Sequence, residues 1–225
     1  MPNGYLDAEV YVGAFTHLDF ENYTKIELGY LLIPIPDEKY KALPEVYGRV
    51  CSVIYFASKI GVEPDRHCVK KDALTEAMLR AALCEFISIG EYIDVVHPSH
   101  KGIWFNEHKE SDPILHMLKI LRNYNVHIDS SRFSRSKINV STFFDGEEEH
   151  EIEIDLISNL NREGFSKVKS AKNYVTVIDK MIDAFEEQQR MYGIKTLLMK
   201  CVLDNMRKLD VLLNADSECD ANCES

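Results

Sequence analysis

Apolar residues recur at steps of three and four along most of this chain, a spacing that predicts α-helices. The pattern is clearest over residues 72–95, where Asp72 suits an N-cap and the apolar positions share one side of a helical wheel. A second helix is predicted over 112–127, because Asp112 can cap it and Pro113 can occupy its first position. The same spacing predicts further helices over residues 37–60, 167–191 and 194–213, with a break or kink at Gly193.

One stretch past the middle of the chain has a period of two instead. Residues 152–156 alternate between apolar and acidic side chains, which predicts a strand with one wet face. The pair Asp145-Gly146 before it is typical of a tight turn. We therefore predict a β-hairpin near 137–157, inserted between helices.

These elements predict a mainly α protein, an up-and-down helical bundle with the inserted hairpin. The bundle is expected over residues 37–213. Residues 1–36 mix aromatic and β-branched positions and end in a Pro-Ile-Pro breaker, so they are an N-terminal extension of unassigned structure. Residues 214–225 are polar and acidic and are predicted to be a flexible tail.

Composition narrows the classes of function. The 225 residues carry a net charge of −11, which excludes a broad basic face for sequence-independent DNA binding but not a local basic patch. The first residues lack the basic start and apolar run of a signal peptide. No stretch approaches the roughly 18 apolar residues of a membrane helix. We expect a soluble, cytoplasmic protein without a membrane partner.

The spacing of the cysteines and histidines does not indicate a metal or cofactor site. The six cysteines show no paired spacing of a zinc site. His97, His100 and His108 fall in one predicted loop, but neither a cysteine nor a well-spaced acid completes a ligand set. The sequence also lacks a phosphate-binding glycine loop and a nucleophile elbow. We therefore expect neither a metal nor a cofactor.

The end of the 112–127 helix carries an unusual cluster of polar residues. On a wheel of about 100° per residue, Arg122 falls about 40° from Leu118, in the sector of the core leucines. A guanidinium stays charged, and left unpaired in a dry core it would cost several kcal/mol. Arg122 must therefore meet a carboxylate, a cleft or another chain. Glu85, at the edge of the core face of its own helix, is a candidate partner.

Asn123 and His127 point to the opposite side of the same helix, since they lie one turn apart. Ile120 and Tyr124 share that outer side. An apolar and aromatic stripe opposite the core stripe predicts a second packed surface. Either a partner subunit or another helix of this chain could cover it.

An imidazole and a guanidinium together suit phosphodiester chemistry. An imidazole, with an ordinary pKa of about 6.5, can take or give a proton at neutral pH. An arginine binds a phosphate through two nitrogens and stabilises charge that develops on it. With an amide to fix orientation, such a set suffices for cleavage of RNA by attack of the 2′-hydroxyl, without a metal.

The run Arg-Asn-Tyr-Asn-Val-His at 122–127 resembles the motif of the HEPN superfamily (higher eukaryotes and prokaryotes nucleotide-binding domains). That motif is an arginine, usually a polar residue next to it, and a histidine after a short variable stretch. Arg122, Asn123 and His127 match it position by position, on a late helix of a predicted bundle.

The resemblance implies a helical fold and a homodimer in which two motifs form a composite site. It also implies a metal-independent endoribonuclease, plausible as a toxin or defence protein with an antitoxin-like partner. His127 would then be the general acid or base, Arg122 would stabilise the phosphate and Asn123 would orient the site. One subgroup has a tyrosine two residues after the histidine that a partner enzyme modifies, but here that position is Asp129, so this regulation is not implied.

The segment after the motif adds candidate RNA ligands. Arg132, Arg135 and Lys137 lie close together without an acid among them, and Phe133 could stack on a base. A solvated turn before the hairpin explains the same residues.

Three functions stay open at the level of sequence. The first is an endoribonuclease of HEPN type acting on RNA. The second is a non-catalytic HEPN-like module that binds a nucleotide or a partner protein. The third is a purely structural helical protein, in which Arg122 bridges to a carboxylate and His127 ends a helix.

Overall fold

A computed structural model describes residues 15, 17–27, 29, 32–65, 69–142 and 148–213, apart from the side chains at 142 and 148. The described residues are mainly helical, with one two-stranded antiparallel sheet, so the predicted mainly α class with a β-hairpin is confirmed. The turn predicted at Asp145-Gly146 and the tail at 214–225 lie outside the described residues.

The chain divides into two compact units that are each built from two segments. The first unit comprises Met1–Leu28 and Glu107–Ile194, and the second comprises Gly29–Asn106 and Lys195–Ser225. These boundaries differ from the segments 1–36, 37–213 and 214–225 drawn from the sequence.

The second unit is organised around helices α1 (Pro44–Ser58) and α2 (Lys71–Val96). Their facing stripes are fully or almost fully buried, as the apolar spacing predicts, and burial of one large side chain contributes about 1.5–3 kcal/mol. Short 3-10 helices lie at Glu38–Ala42, Pro98–His100 and Arg207–Leu209. The buried stripe residues are Val50, Val53, Ile54 and Ala57 on α1, and Leu79, Ala82, Leu83, Phe86, Ile89 and Ile93 on α2.

Trp104 closes the core of the second unit. Its indole Nε1 donates a 2.8 Å hydrogen bond to the carbonyl of Phe86, and its backbone carbonyl accepts one from the buried amide of Asn205. Gly90 allows this approach, since a Cβ at that position would lie 3.0 Å from the indole Cδ1. The glycine on the apolar face of α2 therefore has a packing role.

In the first unit, helix α3 (Pro113–His127) begins where the sequence predicts. The carboxylate of Asp112 accepts the amide of Ile114 at 2.8 Å, and Pro113 fills the first position, where no amide donor is needed. The same carboxylate accepts the amide and the hydroxyl of Thr24. Burial raises the pKa of Asp112, and these hydrogen bonds oppose the rise.

The described part of the N-terminal region, residues 15 and 17–27, packs into the first unit. Phe15 and Ile26 are buried, and the amide of Ile26 donates to Oε1 of the buried Gln188 at 2.8 Å. Tyr23 is also buried and donates its hydroxyl to Glu187. Residues 15 and 17–27 thus contribute to a core that the sequence alone did not assign to them.

Strands β1 (Phe133–Thr142) and β2 (Glu148–Ile157) form the hairpin, with Ile138 opposite Ile152. The hairpin begins a few residues earlier than the predicted 137–157. Its base is fixed by Gln189, whose side chain accepts the amide of Ile157 and donates to its carbonyl, both at 2.9 Å. A buried amide side chain here takes the place of a third strand.

The prediction of one continuous helix over 167–191 is wrong at its start. The chain forms helix α4 (Arg162–Ser166) and a 3-10 helix (Lys169–Tyr174) before helix α5 (Ile178–Met206) begins. Asn161 caps α4 through the amide of Gly164, and Val168 is extended. The apolar spacing persists through this region because Val168 and Ala171 are buried even though the backbone turns.

Helix α5 loses helical geometry at Gly193, as predicted, with φ 82° and ψ 167°. In the part of the chain that the structure describes, no helix is both long and apolar enough to cross a membrane.

Candidate functional site

A cleft of about 600 Å³ in the first unit contains two of the three motif residues, Asn123 and His127. Both side chains reach it because a spacing of four residues places them on one face of α3. The cleft is lined by Glu107, Asn123, His127, Ile128, Lys167, Val168, Lys169, Ser170 and Asn173.

Arg122 is half-buried beside the cleft instead of lining it. Its neighbours on the core stripe, Leu118 and Leu121, are fully buried, which confirms the sector read from the wheel. Its Nη1 donates a 3.0 Å hydrogen bond to Oδ1 of Asn123, and its Nε is buried without a described partner. The guanidinium is therefore satisfied only in part.

The sequence suggests Glu85 as a partner of Arg122, but the ion pair described for Glu85 is with Arg49. Glu85 lies in the second unit, where its Oε2 is 3.5 Å from Nη1 of Arg49. Ser88 also accepts from that guanidinium at 2.8 Å. The described hydrogen bond of Arg122 goes to an amide, not to a carboxylate.

Asn123 connects Arg122 to the far wall of the cleft. Its Oδ1 accepts from Arg122, and its Nδ2 donates a 2.9 Å hydrogen bond to Oγ of Ser170. Because the amide is held at both ends, its orientation is fixed. The Ser170 hydroxyl accepts this bond and keeps its own proton to donate.

His127 occupies the last turn of α3, with an exposed side chain at the cleft. The helix ends just after it, where the amides of Ile128 and Asp129 both donate to the carbonyl of Tyr124. The following chain is turned by Asn125, whose buried side chain bonds to the amide and the hydroxyl of Ser131. The motif helix therefore ends at a defined position, and the imidazole is accessible there.

Two lysines bring positive charge to the same cleft. Both are exposed: Lys167 directly follows α4, and Lys169 is the first residue of the 3-10 helix. Within the described residues neither forms an ion pair. In a chain of net charge −11, two unpaired ammonium groups beside an imidazole form a local site suited to an anion.

The acidic member of the cleft, Glu107, is held by two donors. Its Oε2 accepts from Nζ of Lys119 at 2.9 Å, and its Oε1 accepts from Nδ2 of Asn173 at 3.1 Å. Burial by itself would raise the pKa of Glu107, but the hydrogen bonds from Lys119 and Asn173 outweigh it and hold the pKa below its usual value. The carboxylate is therefore ionised at neutral pH.

The second packed surface predicted on α3 is present within this chain. Ile120 and Tyr124 are both buried. Tyr124 contacts Phe165 of α4 edge-on, with ring centroids 5.4 Å apart. Packing inside the protomer thus explains the apolar outer stripe, and a partner subunit is not needed to cover it.

The three basic residues proposed as RNA ligands lie at and in strand β1, outside the cleft. Arg135 lies 3.6 Å from Glu153 and 3.7 Å from Asp155 across the hairpin, and Lys137 lies 2.5 Å from Glu151. Arg132 is exposed just before the strand. The acidic strand β2 therefore balances two of these three charges.

The wall of the cleft that faces the motif is not evident from the sequence. The apolar spacing predicts one helix over Lys167, Lys169, Ser170 and Asn173, and Glu107 falls in a predicted loop. Their only sequence signal is the density of polar residues in Lys-Val-Lys-Ser-Ala-Lys-Asn, residues 167–173. Nothing local in that stretch indicates that it faces residues of α3.

Among the described residues, no group of three or more His, Cys, Asp or Glu side chains is arranged to hold a metal ion. Comparisons with protein-family models, with curated proteins and with solved structures find nothing that matches this chain. The resemblance to the HEPN superfamily therefore rests on Arg122, Asn123 and His127 and on their helical surroundings.

Proposed function

We propose that this cleft binds RNA and cleaves it as a metal-independent endoribonuclease of HEPN type. The observation that supports this most strongly is the shared cleft of His127, Asn123 and two lysines without described ion pairs. A proton-transfer group beside an anion-binding wall is what attack of a 2′-hydroxyl on its own phosphate requires.

Each residue has a role that follows from its contacts. Lys167 and Lys169 bind phosphate oxygens as mobile point charges. His127 transfers a proton at the reacting phosphate. Asn123, fixed by Arg122 and Ser170, orients the phosphate between the two walls.

A binding module without catalysis is the second candidate, and one observation favours it. Asn123 uses both its carbonyl and its amide within the chain, and the described contact of Arg122 is to that same amide. In one protomer, His127 is therefore the motif residue whose side chain has no described hydrogen bond. Such a cleft can hold a nucleotide by its phosphates without cutting RNA.

The test of cleavage uses a mixed-sequence RNA with a fluorescent 5′ label, incubated with purified protein in EDTA. We expect the wild type to release fragments that end in 2′,3′-cyclic phosphates. His127→Ala and Arg122→Ala should each lower the rate by roughly 100-fold or more. His150→Ala, which removes an exposed histidine from the hairpin, is the matched control and should cleave normally.

Binding is measured separately with the same RNA by fluorescence anisotropy. Lys167→Gln and Lys169→Gln should each weaken binding several-fold and reduce its salt dependence, because each removes one phosphate contact. Lys172→Gln, from the same segment but outside the cleft lining, should not. Binding without cleavage by the wild type would favour the second candidate. If all three lysine variants bound the RNA as tightly as wild type, both candidate functions would be contradicted.

A further inference from the structure

Cleavage of RNA by its 2′-hydroxyl moves two protons. One leaves the 2′-oxygen as that oxygen forms its bond to phosphorus, and the other joins the 5′-oxygen as its bond to phosphorus breaks. Two proton-transfer groups near one phosphate serve these steps best. His127 supplies one of them under the proposed function, and the cleft holds a second group of the right kind.

Glu107 is the carboxylate that lines this cleft together with His127. Its side chain is 19% exposed, so it is sheltered yet reachable from the cleft. Lys119 holds one of its oxygens at 2.9 Å and Asn173 holds the other at 3.1 Å. Each oxygen keeps a second lone pair, so the group is fixed in place and can still accept a proton.

We propose that Glu107 accepts the proton of the attacking 2′-hydroxyl while His127 donates a proton to the departing 5′-oxygen. This rests on the proposed function of the cleft. The products are a 2′,3′-cyclic phosphate and a free 5′-hydroxyl, and the two protons balance without a metal or a further reactant. Hydrolysis of the cyclic product would return both groups to their starting states.

The charges around Glu107 fit this direction of transfer. Lys119, on α3, contacts it, and Asn173 and Tyr174 approach from the 3-10 helix, while Lys167 and Lys169 line the same cleft. His116 of α3 also lies near, but burial lowers its pKa to about 4, so it is neutral at pH 7. The carboxylate is therefore ionised and able to act as a base at neutral pH, while His127 acts as the acid.

The test is the dependence of the single-turnover cleavage rate on pH. The wild-type rate should rise with pH as Glu107 loses its proton, and this rise is the acidic limb of the profile. Glu107→Gln should lower the rate roughly 100-fold and abolish the acidic limb. Glu163→Gln, which removes an exposed acid of α4, is the matched control and should leave the acidic limb in place.

A purely structural role for Glu107 predicts a different result. The variant Lys119→Met distinguishes that role from proton transfer. Because Lys119 lowers the pKa of Glu107, its removal should move the acidic limb to higher pH while leaving cleavage measurable. If Glu107 only stabilises the fold, Glu107→Gln and Lys119→Met lower the rate or the melting temperature, but the acidic limb stays at the same pH. This comparison also serves if Glu107→Gln fails to fold.

Different results would overturn the role of Glu107 and the nuclease function of the cleft. An unchanged acidic limb in both Glu107→Gln and Lys119→Met, with cleavage still abolished by His127→Ala, overturns the role of Glu107 and leaves the nuclease intact. Absence of cleavage by the wild type overturns the nuclease itself.

Discussion

The two hydrogen bonds of the buried His116 fix which of its ring nitrogens carries the proton. It is fully buried, its Nε2 lies 2.9 Å from the carbonyl of Glu110, and its Nδ1 lies 2.5 Å from the hydroxyl of Tyr174. A carbonyl can only accept, so the Nε2 carries the proton and the Nδ1 accepts from Tyr174. Burial lowers the pKa of His116 to about 4 and raises the pKa of Tyr174.

We expect His116 to make the stability of the fold sensitive to mild acid. The unfolded chain binds the proton at about pH 6.5, whereas the folded state resists it down to about pH 4. Its contribution is therefore complete above pH 6.5 and falls by about 3 kcal/mol as the pH drops to 4. The measurement is urea unfolding at several pH values for the wild type and His116→Gln, whose amide can donate to Glu110 and accept from Tyr174.

The difference in unfolding free energy between these two proteins should shrink across that window. A difference that stays constant from pH 7 to pH 4 would show that the imidazole binds its proton equally well in both states.

At the same scale, the sequence pattern predicts Arg122, Asn123 and His127 as site residues but contains no sign of their contacts. The wheel separated Arg122 from His127 correctly, because the geometry of one helix depends only on spacing. The bond from Asn123 to Ser170 joins positions far apart in the chain, so no local pattern contains it.

At the scale of elements, prediction succeeded where the chain carries its own start and stop signals. Helix α3 begins after the predicted cap at Asp112, and α2 covers the predicted 72–95 with one further residue at each end. Prediction failed at 167–177, where Val168 and Ala171 keep a helical spacing but pack as a turn and a 3-10 helix. There the neighbouring core, not local propensity, decides the backbone.

The kink of α5 gives a prediction at this scale. The φ and ψ of Gly193 belong to a region that essentially only glycine adopts, and a Cβ there would lie 3.0 Å from Cβ of Ile154 and 3.2 Å from the carbonyl of Asp155. Gly193→Ala should therefore lower the unfolding free energy by about 2–3 kcal/mol, measured by urea denaturation.

Gly48→Ala is the matched control for that substitution, with the opposite expected sign. Gly48 lies in the interior of α1 with open space around a Cβ, so alanine should stabilise by about 0.5–1 kcal/mol. Stabilisation by both substitutions would mean that α5 runs straight through position 193.

At the scale of the whole molecule, the position of Arg122 beside the cleft bears on the assembly of the protein. Within one protomer, His127 lines the cleft and Arg122 does not. The HEPN resemblance implies a homodimer in which the two motifs complete one another, and we propose that assembly here. Light scattering in solution gives the mass directly.

Mixing of two inactive variants tests whether the site is shared. If Arg122 of one protomer serves His127 of its partner, Arg122→Ala mixed and re-assembled with His127→Ala restores one intact site per mixed dimer. Random assembly then gives about a quarter of wild-type cleavage. Folded, dimeric variants that regain nothing on mixing would show that each protomer acts alone or that Arg122 has no part in catalysis.

The composition of the whole chain gives its net charge but not the position of the cleft. The charge of −11 correctly leaves room for a local patch, but the patch is formed by Lys167 and Lys169 and not by the basic segment at 132–137. A cleft assembled from three separate stretches of chain is a property of tertiary packing.

The hydrogen bonds of the N-terminal segment have a practical consequence for making this protein. A recombinant chain that started at Asp37, where the sequence places the first helix, would lack Thr24 and Ile26. Asp112 and Gln188, both in the first unit, would lose the backbone donors that Thr24 and Ile26 supply. Removing the N-terminal segment to improve expression would therefore weaken the packing at the start of α3, the helix that carries His127.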